Sequence, residues 1–348
     1  MKNKYQDCLK KSRQFLNFLK KIDCNIEKYS YIRQVLEKKL NFNERKILFE
    51  KAKNIRNRCY GNNIYIRASI EISNICTYTC KFCGMSINNK EIRRYILDER
   101  DIFKTIDKIS LLGITHVHIV SGESRSEKIE YLCAIIRYAK EKGLLITLVL
   151  GRRSINDYIL LKEAGADRYI LKFETSNEQL YHEIKGNTYL DERIADLLFL
   201  REIGFKIGTG IIYGLPGSSI NDHIKDLELL KMIAPDMASV SVFSPNGSSE
   251  FKHEIPGDKD GALGFVALMR ILLQDNPPMI SCSSSFGIDE QKKVLDAGAN
   301  VISYHATPNK VIDLYSAYRN ENRVKTNIDK IFKLANMCNM RIKEYKWI

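Results

Sequence analysis

The chain has 348 residues, 44% of them hydrophobic and 28% charged, with nine cysteines and a formal net charge of +13. The longest apolar run, Leu144 to Leu150, is far too short to span a bilayer, and the first residues lack the apolar stretch of a signal segment, so a cytoplasmic protein with no membrane partner is expected. An odd cysteine count in such a chain argues for free thiols and metal ligation over a disulfide framework.

Residues 1 to 60 hold 17 Lys and Arg against 6 Asp and Glu, which accounts for most of the positive charge. Phe15, Leu16, Leu19, Ile22, Ile32, Leu36 and Leu40 recur among these lysines at helical spacing. Amphipathic helices docked on a larger body, with Lys on the wet face, are favoured over a nucleic-acid footprint, and no nucleic-acid partner is expected. Two or three helices are predicted over residues 3 to 59, the last of them Glu44 to Cys59.

After Gly61 short β-rich runs alternate with helix-length stretches: Ile64 to Ile72, Thr115 to Ser121, Leu144 to Leu150, Arg168 to Phe173, Lys206 to Ile212, Met237 to Phe243, Met279 to Ser283 and Asn300 to Ser303. Intervening helices are expected in gaps such as Asp98 to Leu112, Ser126 to Lys142 and Glu192 to Ile203, with Gly113, Gly143, Gly165, Gly204 and Gly298 at the C-caps. Alternating strands and helices pair in parallel through right-handed crossovers, and eight units at this length predict an α/β fold of the (β/α)8 TIM-like barrel type. A doubly wound open sheet is the competing topology. The expected organisation is N-terminal helices over 1–60 packed on the barrel, the barrel over 61–307, and a C-terminal helical segment over 308–348 that ends in the basic run to Trp347 and Ile348.

Catalytic groups of a parallel barrel come from the C-terminal ends of its strands. Directly after the first strand stand Cys76, Cys80 and Cys83, a Cys-x3-Cys-x2-Cys run. Iron-sulfur clusters are normally held by four thiolates, so three in one loop grip three irons of a 4Fe-4S cube and leave the fourth open. A closed zinc site would need a fourth nearby ligand, and no His or Cys follows Cys83 within about thirty residues. The other cysteines, Cys8, Cys24, Cys59, Cys133, Cys282 and Cys338, are scattered and read as small buried hydrophobes, with no second cluster expected.

Ser121-Gly-Glu-Ser124 follows the second strand, where Gly122 lets backbone approach a ligand and Glu123 offers a carboxylate. Glu174 projects from the end of the fourth strand in Leu171-Lys-Phe-Glu-Thr-Ser176, and Arg193 lies early in the next helix with a planar fork suited to a carboxylate. Tyr213-Gly-Leu-Pro-Gly217 is dense in glycine, as a tight turn or a backbone lying against a ligand requires.

With these motifs in order, the chain resembles radical S-adenosylmethionine (SAM) enzymes of the biotin synthase-like group, and within it the FeFe-hydrogenase maturase HydE family. The resemblance rests on Ile70 to Cys76, Cys83-Gly84 with Ile92-Arg-Arg-Tyr95, Lys172-Phe-Glu-Thr175 with Leu180-Tyr181, Gly208 to Gly217, Leu268 to Leu273, and Ala297 to Ile302 with Thr307-Pro308, and covers roughly residues 44 to 318. It implies one 4Fe-4S cluster on Cys76, Cys80 and Cys83 with SAM at the open iron. It further implies SAM contacts from Phe82, Gly122, Glu123, Lys172, Glu174, Thr175, Arg193 and Gly214, with Glu123 toward the amino group, Glu174 toward the ribose or amino group and Arg193 toward the methionine carboxylate. Reductive cleavage of SAM to a 5'-deoxyadenosyl radical, a reduced flavodoxin- or ferredoxin-type electron donor and a small-molecule or small organometallic substrate follow from the same resemblance.

The chain departs from its relatives on the cavity wall. Ser121, Thr147 and Gly208 stand where biotin synthase has cysteines for an auxiliary 2Fe-2S cluster, which argues against sulfur insertion. Lys172 replaces the arginine usual in HydE, and Val242-Phe-Ser-Pro-Asn-Gly247 replaces its usual strand-six loop. The departures bear on the substrate, and a radical transformation of an amino-acid-like small molecule, as in methylornithine synthase, is the alternative.

Overall fold

The computed structural model describes residues 1–186, 188–286, 290–317 and 327–343. Three helices come first: α1 (Lys2–Lys20), α2 (Ser30–Leu36) and α3 (Phe42–Tyr60). Strands and helices then alternate as β1 (Asn63–Glu71), α4 (Glu99–Leu111), β2 (His116–Val120), α5 (Ile129–Glu141), β3 (Leu145–Val149), α6 (Ile155–Glu163), β4 (Arg168–Ile170), α7 (Glu178–Ile184), α8 (Leu190–Glu202) and β5 (Lys206–Tyr213). The series continues with α9 (Ile220–Ile233), β6 (Met237–Val242), α10 (Lys259–Leu272), β7 (Met279–Cys282), α11 (Gln291–Asp296), β8 (Val301–His305), α12 (Asn309–Ile312), α13 (Ile328–Met337) and β9 (Arg341–Lys343).

β1 settles the topology. It pairs in parallel with β2 through Ala68 and Val117 and also with β8 through Tyr65 and Val301, so β1 to β8 close into a barrel and the open sheet is excluded. Apart from β4, which ends at Ile170 rather than at Phe173, the strands fall within two residues of their expected bounds, because alternation along each strand sorts side chains to two faces. Ile64, Ile66, Ala68 and Ile70 of β1 join the core under the helices, whereas Arg67, Ser69 and Glu71 face the lumen. β6 repeats the pattern, with Ala238 and Val240 outward and Ser239 and Ser241 inward. TIM barrels usually fill these inward positions with bulky branched residues. Here small and polar side chains stand there, which leaves the lumen open.

The surrounding helices follow from local signals. Asp98 caps α4 by accepting the Arg100 N–H at 2.8 Å, and Ile102, Ile106 and Ile109, spaced for one helical face, are fully buried. A capping box between Asn41 and Glu44 starts α3, so the helix begins at Phe42, two residues before its expected start. Each of the five glycines expected at C-caps has a positive φ.

The basic N-terminal helices lie against the outer helices of the barrel. Arg13 pairs with Asp191 at 2.9 Å, Lys20 with Glu178 at 2.6 Å and Arg45 with Asp260 at 2.8 Å, while the Tyr5 hydroxyl donates to Asp196 at 2.9 Å. Three of the N-terminal cations thus meet acidic side chains of α7, α8 and α10. Among the described residues no helix is long and apolar enough to cross a membrane.

One expectation needs correction. The C-terminal segment is not wholly helical, because Arg341–Lys343 forms β9, which adds in parallel beside Asn63–Tyr65 of β1. A single apolar residue, Ile342, between two cations is too short a pattern to read as a strand, and only pairing with β1 defines it. Residues 318–326 and 344–348, including Trp347, lie outside the described residues.

Arg270 is fully buried in α10 and donates to the carbonyls of Gly298 at 2.9 Å and Pro278 at 2.8 Å and to Asn300 Oδ1 at 3.2 Å. Each acceptor left without a donor in the interior costs roughly 1–3 kcal/mol. Arg270→Met is thus expected to lower unfolding stability by about 3 kcal/mol, read as a lower urea midpoint with unchanged slope.

Candidate active site

The cysteine loop leaves the C-terminal end of β1 and is tied on every side. Gly122 N–H donates to Ser73 O at 3.1 Å and Thr77 N–H to Glu123 O at 3.0 Å, fixing the loop to the β2 turn. Lys81 N–H donates to Ile184 O at 3.0 Å, fixing it to the end of α7. Gly122 must be glycine here, since a Cβ would lie 2.1 Å from Ile75 O. Arg94 closes the other flank: Nη1 donates to Asn74 O and Met85 O, each at 2.8 Å, and Nη2 to Ser86 O at 2.7 Å.

All nine cysteines are free. Cys76, Cys80 and Cys83 line one cavity of about 180 Å³ together with Phe82, Glu123 and Arg193. Burial pushes the Cys80 thiol up to about 11 and the Cys83 thiol up to about 12, so both stay protonated until a cation takes the place of the proton. Among the described residues no three His, Cys, Asp or Glu side chains converge to hold a single metal ion. A zinc cage needs four ligands on one ion, whereas the thiolates of a cube each take a different iron and stand apart. The donor set therefore fits a cluster.

Opposite the thiols, Glu123 Oε1 accepts from Arg193 Nη1 at 2.7 Å and from the Arg152 N–H at 2.8 Å, and its Oε2 stands 3.6 Å from Lys185 Nζ. Burial works to raise this carboxyl, but Arg193 and Lys185 outweigh it and hold Glu123 down at about 2. It is an anchored carboxylate. Arg193 is oriented from its other side by Nε donating to Lys172 O at 2.9 Å.

Glu174 has φ +62°, a conformation that residues other than glycine seldom adopt and that marks stored strain. Its backbone rejoins β5, with Glu174 N–H donating to Gly210 O at 3.1 Å and Ile212 N–H to Glu174 O at 2.9 Å. This swings the carboxylate onto the cavity wall. There Oε2 is 3.1 Å from Lys172 Nζ, out of line for a hydrogen bond and buried without another hydrogen-bond partner among the described residues. Lys172 Nζ also reaches Ser241 Oγ at 3.2 Å.

Lys172, Val149, Ile170 and Tyr315 also line a second cavity of about 200 Å³ in the lumen below. Its walls include Arg67, Ser69, His118 and Ser281. His118 Nε2 and Ser281 Oγ are buried there with no hydrogen-bond partner among the described residues. Polar groups orphaned in a lumen are ready to bind a polar molecule.

The structure thus gathers Cys76, Cys80, Cys83, Phe82, Gly122, Glu123, Lys172, Glu174 and Arg193 at one cavity. Thr175 and Gly214 are not on its wall. Thr175 is buried in the turn before α7, its hydroxyl accepting from Asn177 N–H at 3.2 Å, and Gly214 packs on Gly257 with its N–H toward His223 Nε2 at 3.4 Å. Thr175 directly follows the wall residue Glu174 and Gly214 lies two residues beyond the wall residue Ile212, and direction along an irregular strand end does not show in sequence. Missed were Lys185, Tyr78 and Tyr315, which line the cavity, and Arg94, which staples the loop. Lys185-Gly186 reads only as a basic C-cap.

The family model for the radical SAM superfamily matches residues 70–230. The FeFe-hydrogenase maturase subunit HydE of Thermotoga maritima is 34% identical over 297 residues, covering 84% of this chain and 85% of that protein. The 3-methylornithine synthase of Methanosarcina acetivorans is 27% identical over 74% of this chain and 73% of that protein. Among solved structures, methylornithine synthase (PylB) superposes with a TM-score of 0.82 at 22% identity, covering 96% of this chain and 97% of that one, which shows the shared fold.

Proposed function

The chain belongs to the radical SAM superfamily and, within it, to the HydE family, and on that premise we propose that this enzyme acts in FeFe-hydrogenase cofactor maturation, on a small precursor held in the barrel lumen. We place a single 4Fe-4S cluster on Cys76, Cys80 and Cys83, with SAM at its open iron. When bound, that pair supplies a 5'-deoxyadenosyl radical by one-electron reductive cleavage of the sulfonium.

The protein's part is to bind, orient and exclude water. Arg193, fixed by Glu123 and Lys172 O, offers its guanidinium to the methionine carboxylate, and Glu123 keeps a lone pair for the amino group. The strained backbone at Glu174 presents its carboxylate to the ribose, and Phe82 gives an apolar wall. Closed barrel walls keep water and thiols from a reactive species and hold the target atom in reach. Lys172 stands between the two cavities and supplies a cation to an anionic precursor. A flavodoxin- or ferredoxin-type donor and a cytoplasmic setting belong to the same proposal.

The observation that carries it is Lys172 on the shared wall of the thiol-lined cavity and the polar lumen, in a chain 34% identical to HydE. The test is anaerobic reconstitution, a spectrum of the reduced cluster with and without SAM, and an assay for 5'-deoxyadenosine, followed by activation of hydrogenase in a strain lacking its own HydE. A SAM-dependent spectral change with hydrogenase activation is expected. Radical production without activation would sink the maturase role and favour the amino-acid alternative, which the Arg67, Ser69 and Glu71 side of the lumen also suits.

A further inference from the structure

Five charged side chains line the upper cavity: the carboxylates Glu123 and Glu174 and the cations Lys172, Lys185 and Arg193. Lys172 answers Glu174 at 3.1 Å and Arg193 answers Glu123 at 2.7 Å. Lys185 is then the surplus cation. Its side chain is 6% exposed, and its nearest carboxylate, Glu123 at 3.6 Å, already accepts Arg193 and a backbone N–H. A lysine is almost never buried this deeply without an anion to answer it.

Lys185 therefore shares Glu123 with Arg193, and the other side it faces is the cysteine loop. The end of α7 is pressed onto the cysteine loop: Lys81 N–H donates to Ile184 O at 3.0 Å, and a Cβ on Gly186, whose φ is +72°, would lie 1.9 Å from Thr79 Oγ1. Residue 185 is thereby held between two contacts that grip the loop on either side of Cys80. Its ammonium also lies 5.3 Å from the centre of the Tyr78 ring, which screens it from the exterior.

We propose that Lys185 is a positioning residue whose fixed positive charge balances the anionic cluster on Cys76, Cys80 and Cys83, so that the cluster's reduction potential depends on the charge at position 185. The inference rests on the cluster assignment above. A cube on three thiolates is anionic, and more so once reduced, so a buried cation at the loop favours the reduced form. Removing the charge makes the electron harder to add.

The experiment is a redox titration of the reconstituted cluster without SAM, followed by its electron paramagnetic resonance signal, in the wild type, Lys185→Gln and Lys185→Arg. Lys185→Gln is expected to shift the midpoint to more negative potential, with Lys185→Arg close to the wild type. An unshifted Lys185→Gln, or a Lys185→Arg shifted equally, overturns the proposal while the cluster assignment stands. If Lys185→Gln takes up no cluster, iron content decides: uptake restored in Lys185→Arg supports a role for the charge, and uptake lost in both overturns it. A wild-type protein that binds no cluster brings down the site assignment itself, which separates the two failures.

Discussion

Replacing Cys76, Cys80 or Cys83 singly by alanine is expected to abolish stable cluster uptake and to cut SAM-dependent 5'-deoxyadenosine formation by at least about a thousandfold. Two thiolates cannot hold a cube, and the cavity offers no substitute, because Glu123 and Glu174 are already engaged by cations. The loop itself should survive the change. It is held by backbone contacts from Lys81 to Ile184 and from Thr77 to Glu123 and by the three carbonyls that Arg94 gathers, none of which involves a thiol. Apo-protein stability should therefore fall by no more than about 1 kcal/mol in each variant, the order expected for one small buried group. Iron and sulfide content, 5'-deoxyadenosine yield and a urea melt of the apo-protein check the three statements. Full turnover in any of the variants would end the radical SAM assignment of this loop.

The strands and the cysteine loop were legible because their signals are local. Inward and outward positions alternate along Arg67 to Glu71 and Met237 to Val242, and a strand-to-loop change at Ser73 is followed at once by the three cysteines. Glu123, Glu174 and Arg193 were legible by place, since barrel chemistry gathers at strand ends. The rest depends on contacts far apart in sequence. Ile92-Arg-Arg-Tyr95 stood out as a motif, yet only folding shows that Arg94 collects carbonyls on both sides of the cysteine loop. Lys185 ends a short helix before a glycine, a pattern that any exposed C-cap shows, and its burial follows from how α7 meets the loop. Glycine density near Gly214 marked a real turn, but the turn packs on Gly257 rather than on the cavity. Glu123 was expected to offer its carboxylate to an amino group, and the structure shows it first as the anchor of Arg193.

That double role gives Glu123 the second large effect. Glu123→Gln keeps the shape and the acceptor for Arg193 but removes the charge that Arg193 and Lys185 both face. SAM-dependent turnover is expected to fall roughly 10- to 100-fold, the range seen when a group that orients a ligand-binding residue is lost. Stability carries an independent signature. The folded carboxyl is held at about 2 against an ordinary value of 4.5, so the unfolded chain binds the proton more readily. The stabilisation is then fully present above pH 4.5 and lost as pH falls toward 2, and the shift is worth about 3 kcal/mol. Urea melts of the apo-protein at neutral pH should separate the wild type from Glu123→Gln by about that amount. As pH falls from 4.5 toward 2 the two should converge, because a protonated Glu123 is as uncharged as the glutamine. A gap that stays constant from pH 7 to 3 would mean that packing, and not the charge shared with Arg193 and Lys185, is what Glu123 contributes.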